Sequence, residues 1–423
     1  MYNHIICKKK LEINRNAFLK VTMFVLFIMI NFTYRNIIIG DTNIYDADYY
    51  DPNSLSTGKS IGNYKFVDLV LTDSILYNSF FDERFTTLSA FILLQGNFAV
   101  LGISLVAFLI KGIISHFVLN MVLCFIGGLY LLKMTNFFNI SGFKTLAIIF
   151  FYPYTIYYCQ SINKEIFLLT LFIVFIYAVI SKKYFLIFLT TIGVFIIKFF
   201  FVFICLITIL FHFIKIENNI KSKAVVIVTF IVFGTFTYLT QFLNTGSIVL
   251  ENAEKLGLAN RLNNFQDTIP FISYFTFPIK FLMNTFEGYN ATGVKIFYPS
   301  NYRISVVGWV SVLSFIYIFH YFIRYFIVFM QSLFTFWLKN ENSNTLYFFT
   351  FVSTLVVLTN SFIHNRYFFF LIPFYVVTVD LFKRESVEFK ANRFTIKLIS
   401  LWENSRYFTF LLLVISVILI NLF

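Results

Sequence analysis

Asp41, Asp46 and Asp48 stand in an acidic, tyrosine-rich run, Gly40-Asp41-Thr42-Asn43-Ile44-Tyr45-Asp46-Ala47-Asp48-Tyr49-Tyr50, directly after the first long apolar stretch of the chain. With Asp51, Asp68, Asp73, Asp82 and Glu83 they make eight of the twenty carboxylates, all within the segment 41–86. Asp46 and Asp48 have extended-chain spacing and can point the same way, and Asp41 falls where the first apolar helix should end. One carboxylate in such a place can act as general base on a sugar hydroxyl. Two or three could instead hold a divalent ion beside a diphosphate. Tyr45, Tyr49 and Tyr50 between them suit a sugar-binding surface. The plain alternative is a solvated acidic run that keeps the segment outside.

Three basic positions could meet a phosphate. Lys164 and Glu165 close the run Tyr152-Pro153-Tyr154-Thr155-Ile156-Tyr157-Tyr158-Cys159-Gln160-Ser161-Ile162-Asn163-Lys164-Glu165, where a lysine can grip a pyrophosphate. The competing reading is a local ion pair behind a capping Asn163. His364-Asn365-Arg366-Tyr367 is wedged between two apolar runs. Arg366 stays charged and binds phosphate through two parallel bonds, with His364 a secondary candidate. Lys198 separates two short apolar runs and either snorkels to the interface or binds an anionic head group. Arg303, at the end of the long segment 244–303, joins these substrate-binding candidates. The middle of that segment, Ile269 to Pro278, is apolar but carries Pro270 and Pro278, which suits an interfacial or re-entrant element.

Other chemistries lack their signatures. Cys7, Cys124, Cys159 and Cys205 lie far apart with no CxxC or Cys/His cluster, which argues against a zinc site or a disulfide framework. There is no glycine-rich phosphate loop and no HExxH. No metal or cofactor is expected beyond the divalent ion just raised.

Such groups must be positioned by an apolar scaffold. Apolar residues make up 59% of the 423, aromatics 22% and charged residues only 13%. Soluble domains carry about 25% charge, so the expectation is an all-α polytopic transmembrane helical bundle, one integral-membrane domain over 1–423. Spans are predicted near Phe18–Ile39, Gly112–Leu132, Lys144–Tyr158, Ile166–Ile180, Tyr184–Ile197, Phe199–Ile214, Ala224–Leu243, Ile304–Phe322, Leu346–Thr359, Phe368–Leu381 and Phe408–Leu422, about eleven in all. Ser89–Ile110 and Tyr325–Trp337 are ambiguous; the first reads as interfacial. The stretch Ile61 to Tyr77 reads as a short amphipathic helix on the outer leaflet, either walling a groove or only closing the loop.

The net charge of +13 follows topology more than any nucleic acid. Lys8, Lys9, Lys10, Arg15 and Lys20 precede or open the first span. Lys182 and Lys183 form a short turn, and Lys383, Arg384, Lys390, Arg393, Lys397 and Arg406 fill the last connection. Lysine-rich short loops stay cytoplasmic, which puts the N-terminus inside and the segments 41–86 and 244–303 outside, as two larger outward-facing loops.

The early Gly40-Asp41-Thr42 with Tyr45 and Tyr49 resembles the start of Wzy-type O-antigen and capsule repeat-unit polymerases. So do Pro153 with Asn163-Lys164-Glu165, a long outer loop in the second half, and Arg366-Tyr367 ahead of a proline-containing span. The chain also resembles the GT-C class of integral-membrane glycosyltransferases, whose first outer loop carries catalytic acids. The resemblance implies a polymerase in a bacterial inner membrane that joins polyprenyl-diphosphate-linked oligosaccharides at the periplasmic face. It casts Asp41, Asp46 and Asp48 as catalytic acids and Lys164 and Arg366 as contacts of the lipid diphosphate. A chain-length regulator and a flippase of the same pathway are the implied partners besides the bilayer. The alternatives are a GT-C enzyme using a polyprenyl-phosphate sugar donor, or a flippase of lipid-linked oligosaccharides, for which internal repeats would be expected.

Overall fold

The computed structural model describes residues 18–33, 116–159, 164–198, 201–213, 228, 321, 324–325, 341–358 and 369–388. All regular structure among the described residues is helical, as the composition predicts: α1 (Phe18–Thr33), α2 (His116–Phe137), α3 (Gly142–Phe150), α4 (Pro153–Cys159), α5 (Lys164–Ile180), α6 (Tyr184–Ile197), α7 (Phe201–Phe213), α8 (Glu341–Leu358) and α9 (Ile372–Glu388). Among the described residues, one helix, Phe117–Phe137, is long and apolar enough to cross a membrane. Phe18–Thr33, Tyr184–Ile197, Phe201–Phe213 and Ile372–Leu381 are apolar but shorter. Apart from Val228 and Tyr321, the spans expected at Ala224–Leu243, Ile304–Phe322 and Phe408–Leu422, and the helix expected within 61–77, lie outside the described residues.

Three boundaries have clear chemical causes. The single span expected over Lys144–Tyr158 is instead two helices, α3 and α4, broken at Phe151 and Tyr152. Pro153 has no N–H to continue the ladder and disfavours helical geometry at Tyr152 before it, yet it fits the first position of a new helix. At the ends of α2 and α5, Asn139 and Lys182 take left-handed conformations with φ of 51° and 54°. In each case two bonds close the helix: Ile140 N–H to Thr135 O with Asn139 N–H to Asn136 O, and Lys183 N–H to Ala178 O with Lys182 N–H to Val179 O. This is the Schellman arrangement, in which two orphan carbonyls find donors.

The chain divides into two compact units. The first holds α1 to α4, α5 as far as Tyr177, and the end of α6 from Ile192. Its centre is aromatic: Phe24 meets Phe125 and Phe150 edge-on, and Phe27 stacks on Phe150 with centroids 4.6 Å apart. Gly128 makes this approach feasible, because a Cβ there would lie 2.8 Å from the Phe150 ring and 3.3 Å from that of Phe24. The second holds the end of α5, α6 through Thr191, and α7, α8 and α9. There Phe211 stacks on Phe348 at 3.9 Å, and Phe349 packs edge-on against Phe374. Its polar groups bridge helices: His212 Nδ1 lies 2.8 Å from Thr345 Oγ1, the Tyr347 hydroxyl donates to Thr378 O at 2.9 Å, and Thr354 Oγ1 lies 2.8 Å from the Tyr375 hydroxyl.

Candidate functional site

Helix directions in the first unit follow from its side-chain pairs. Phe24 meets Phe125 and Phe32 meets Phe117, so α1 runs antiparallel to α2. Thr170 Oγ1 donates to Leu123 O at 2.9 Å and Tyr177 packs edge-on against Tyr130, so α5 runs parallel to α2. The turn at 181–183 reverses the chain, and Gly193 of α6 lies against Leu171 of α5. At 1.5 Å of rise per residue, these registers place Asn31, Val118, Glu165 and Lys198 at about the same level.

This end gathers the unit's distinctive polar groups. Asn31 and Asn120 are fully buried and Glu165 is 3% exposed. They are the only buried amides and the only buried carboxylate among the described residues of the unit, and they come from three different helices. Lys164 and Lys198, both half-buried, stand at the same level. Glu165 sits in the first turn of α5, where the free N–H groups favour a negative charge. Asn31 Nδ2 donates to Phe27 O at 2.9 Å, while Asn120 Nδ2 donates to both Tyr158 O and Cys159 O at 3.3 Å. One turn along α2, Cys124 Sγ approaches Cys159 Sγ to 3.6 Å.

The opposite end is different in kind. Lys20 on α1, Lys133 on α2 and Lys144 on α3 are brought to it by the same registers, with α3 antiparallel to α2 through Gly128 against Phe150 and Gly142 against Thr135. Lys133 Nζ lies 4.7 Å from the Tyr130 ring centre, a cation–π contact. About fifteen residues of α2 separate the two levels, roughly 22 Å. Among the charged groups of the described residues, one end thus carries lysines alone, and the other sets a buried carboxylate with two lysines at the level of two buried amides.

Of the sequence candidates, Lys164, Glu165 and Lys198 are brought together. Asp41, Asp46, Asp48, Arg303, His364 and Arg366 lie outside the described residues. The last described residue before the acidic run, Thr33, is at the same end as Glu165, and eight residues of chain reach at most about 28 Å. Sequence reading missed Asn31 and Asn120, since a lone asparagine inside an apolar run carries no periodic signal. It could have paired Lys198 with Lys164, because a three-residue turn at 181–183 sets the two equally far along adjoining helices.

Lys164 and Lys198 supply this end with two positive charges at the level of the buried carboxylate and amides. Among the described residues, no group of three or more His, Cys, Asp or Glu is placed to share a metal ion. Compared with known proteins, the chain matches no family model, no curated protein sequence and no solved structure.

Proposed function

We propose that this chain is a multi-pass inner-membrane glycosyltransferase that joins polyprenyl-diphosphate-linked oligosaccharide repeat units at the periplasmic face. The observation that carries the reading is the polar end of the first unit. Glu165, Asn31 and Asn120 are buried there with Lys164 and Lys198 at the same level, and α1 leads from it toward the acidic segment. Polar and ionisable groups inside an apolar helix bundle are costly and mark functional sites by default. Two lysines suit a diphosphate, whose charge rises as it leaves the sugar. A carboxylate among Asp41, Asp46 and Asp48 takes the proton from the attacking hydroxyl, and Arg366 is retained as a diphosphate contact on its chemistry.

Membrane immersion of several helices is supported by what they expose. Large apolar side chains line one exposed stripe on each of four helices: Phe18, Val21, Val25 and Met29 on α1; Val118, Val122, Phe125 and Leu129 on α2; Phe185, Phe188, Ile192 and Ile196 on α6; Phe203, Leu206, Leu210 and Phe213 on α7. The spacing of three and four residues is that of one helix face. A helix apolar on its outer face as well as its packed face belongs in lipid. The lysine-only end of the first unit is then cytoplasmic.

Deleting the gene in its host and running the surface polysaccharide on gels tests this. We expect loss of the polymer ladder with a single repeat unit retained, and restoration by the wild-type chain. At least one of Asp41→Asn, Asp46→Asn and Asp48→Asn should fail to restore it at unchanged abundance, since losing a general base costs about two to four orders of magnitude in rate. An intact ladder in the deletion strain rejects the reading. Loss of all surface sugar assigns the chain to single-sugar transfer or flipping instead.

A further inference from the structure

We infer that Asn120 is a positioning residue, which fixes the end of α4 and through it the start of α5, where Lys164 and Glu165 stand; the inference rests on the site proposed above. The last carbonyls of any helix have no partner within it. In α4 two of these, on Tyr158 and Cys159, accept from a single side-chain amide that belongs to α2. An amide NH2 has two hydrogens, so one asparagine serves both, nearly forty residues away in the chain. Three residues further along α2, Leu123 O accepts from Thr170 Oγ1 of α5. One turn of α2 therefore holds the chain on both sides of the connection 160–163: α4 where it ends, and α5 shortly after it begins.

The same turn of α2 also sets Cys124 Sγ 3.6 Å from Cys159 Sγ, a weaker contact to the end of α4. The Asn120 and Thr170 bonds are directional, and they bracket the only Lys–Glu pair among the unit's described residues. Asn120 itself is fully buried and touches no solvent, so it acts through Lys164 and Glu165 and not on a substrate. Without the amide, the C-terminal carbonyls of α4 would turn toward other donors, and the start of α5 would shift relative to α2. Catalytic geometry tolerates such shifts poorly: a displacement of about 1 Å can cost around a hundredfold in rate.

The test has two readouts on the full chain in membranes. The first reads position and does not depend on what the protein does. In a Lys164→Cys chain, the rate of reaction with an impermeant maleimide is measured on the peptide carrying residue 164, with and without Asn120→Leu. We expect a change of at least several-fold with Asn120→Leu, a similar one with the isosteric Asn120→Asp, and a smaller one with Asn120→Gln, which keeps the amide. Equal rates in all four chains overturn the inference.

The second readout is polymer yield in a double-substitution cycle of Asn120→Leu with Lys164→Ala. If Asn120 acts through Lys164, the asparagine substitution adds little once the lysine is gone; full additivity at matched protein abundance overturns the inference. A change in labelling rate, with a ladder indifferent to Lys164→Ala, would uphold the clamp and instead reject the assignment of Lys164 to the reaction.

Discussion

The buried polar groups of the two units differ in kind. In the second unit, the fully buried polar residues among those described are hydroxyls and one histidine: Thr190, Thr208, His212, Ser343, Thr345, Thr350, Ser353, Thr354 and Thr378, while half-buried Arg324 and Asn344 each bury one polar atom, Nε and Oδ1. Several bond the carbonyl four residues back in their own helix, as Thr208 does to Ile204 O, Thr350 to Leu346 O and Thr378 to Phe374 O. Others stitch helix to helix through His212 and Thr345 or through Thr354 and Tyr375. In the first unit hydroxyls are joined by two amides and a carboxylate, all at one level. Neutral hydroxyls can satisfy themselves locally and hold helices together. A buried carboxylate is far costlier to desolvate than a neutral hydroxyl, even with the N–H groups of a helix start to receive it.

That contrast can be broken from the polar end inward. Removing both Lys164 and Lys198 as alanine should give the largest effect, a loss of polymer of about a hundredfold or more, the order seen when a charge-stabilising contact is removed. Protein abundance in the membrane should hardly change. If abundance falls in step with polymer, these lysines are structural and the two units are alike after all. Packing comes next. Gly128→Val forces a side chain against Phe150, Leu146 and Phe24 and should destabilise by about 1–3 kcal/mol. Thermal unfolding of detergent-purified protein reads this directly, and an unchanged midpoint would mean the α1–α2–α3 contact is looser than drawn.

In the second unit, Thr345→Val removes the partner of His212 at nearly constant volume. Interhelical hydrogen bonds among membrane helices contribute about 0.6–2 kcal/mol. The melting midpoint should drop by a corresponding few degrees while polymer made per molecule stays at the wild-type level. Lost activity without lost stability would move this pair from scaffold to chemistry. The smallest effect has the opposite sign. Lys182 holds a left-handed conformation that costs a residue with a Cβ about 1–2 kcal/mol, part of which Lys182→Gly returns to the unfolded chain as entropy. A rise in stability of about 0.5–1 kcal/mol is expected in the same thermal assay, and a fall would show that the lysine side chain contributes more than its backbone costs.

Much of the scaffold was legible from apolar runs alone. Tyr184–Ile197 is helical over the same residues that the sequence suggests, and α5, α7 and α8 lie within a few residues of their expected bounds. Helix α9 extends through Glu388, well beyond Leu381, because the largely polar residues after Leu381 include no Pro or Gly to stop it. The break before Pro153 was written in the chain but outweighed by continuous hydrophobicity on either side. The site was legible as residue types and not as an arrangement. Lys164–Glu165 stood out because charge beside an apolar run is rare. Asn31 and Asn120 did not, since their meaning comes from the pairing of α1, α2 and α5, which no local pattern encodes.

The brevity of one helix carries one more consequence. At 1.5 Å per residue, the fourteen residues of α6 measure roughly 21 Å, against a hydrocarbon core of about 30 Å. A lipid-facing helix that falls short draws the leaflets toward each other. On the multi-pass reading, the membrane beside α6 would be pinched, and head groups would ride lower there than elsewhere. Lys198 stands immediately past the last turn of α6. A lipid phosphate could come down to it while the isoprenoid tail stays in the bilayer.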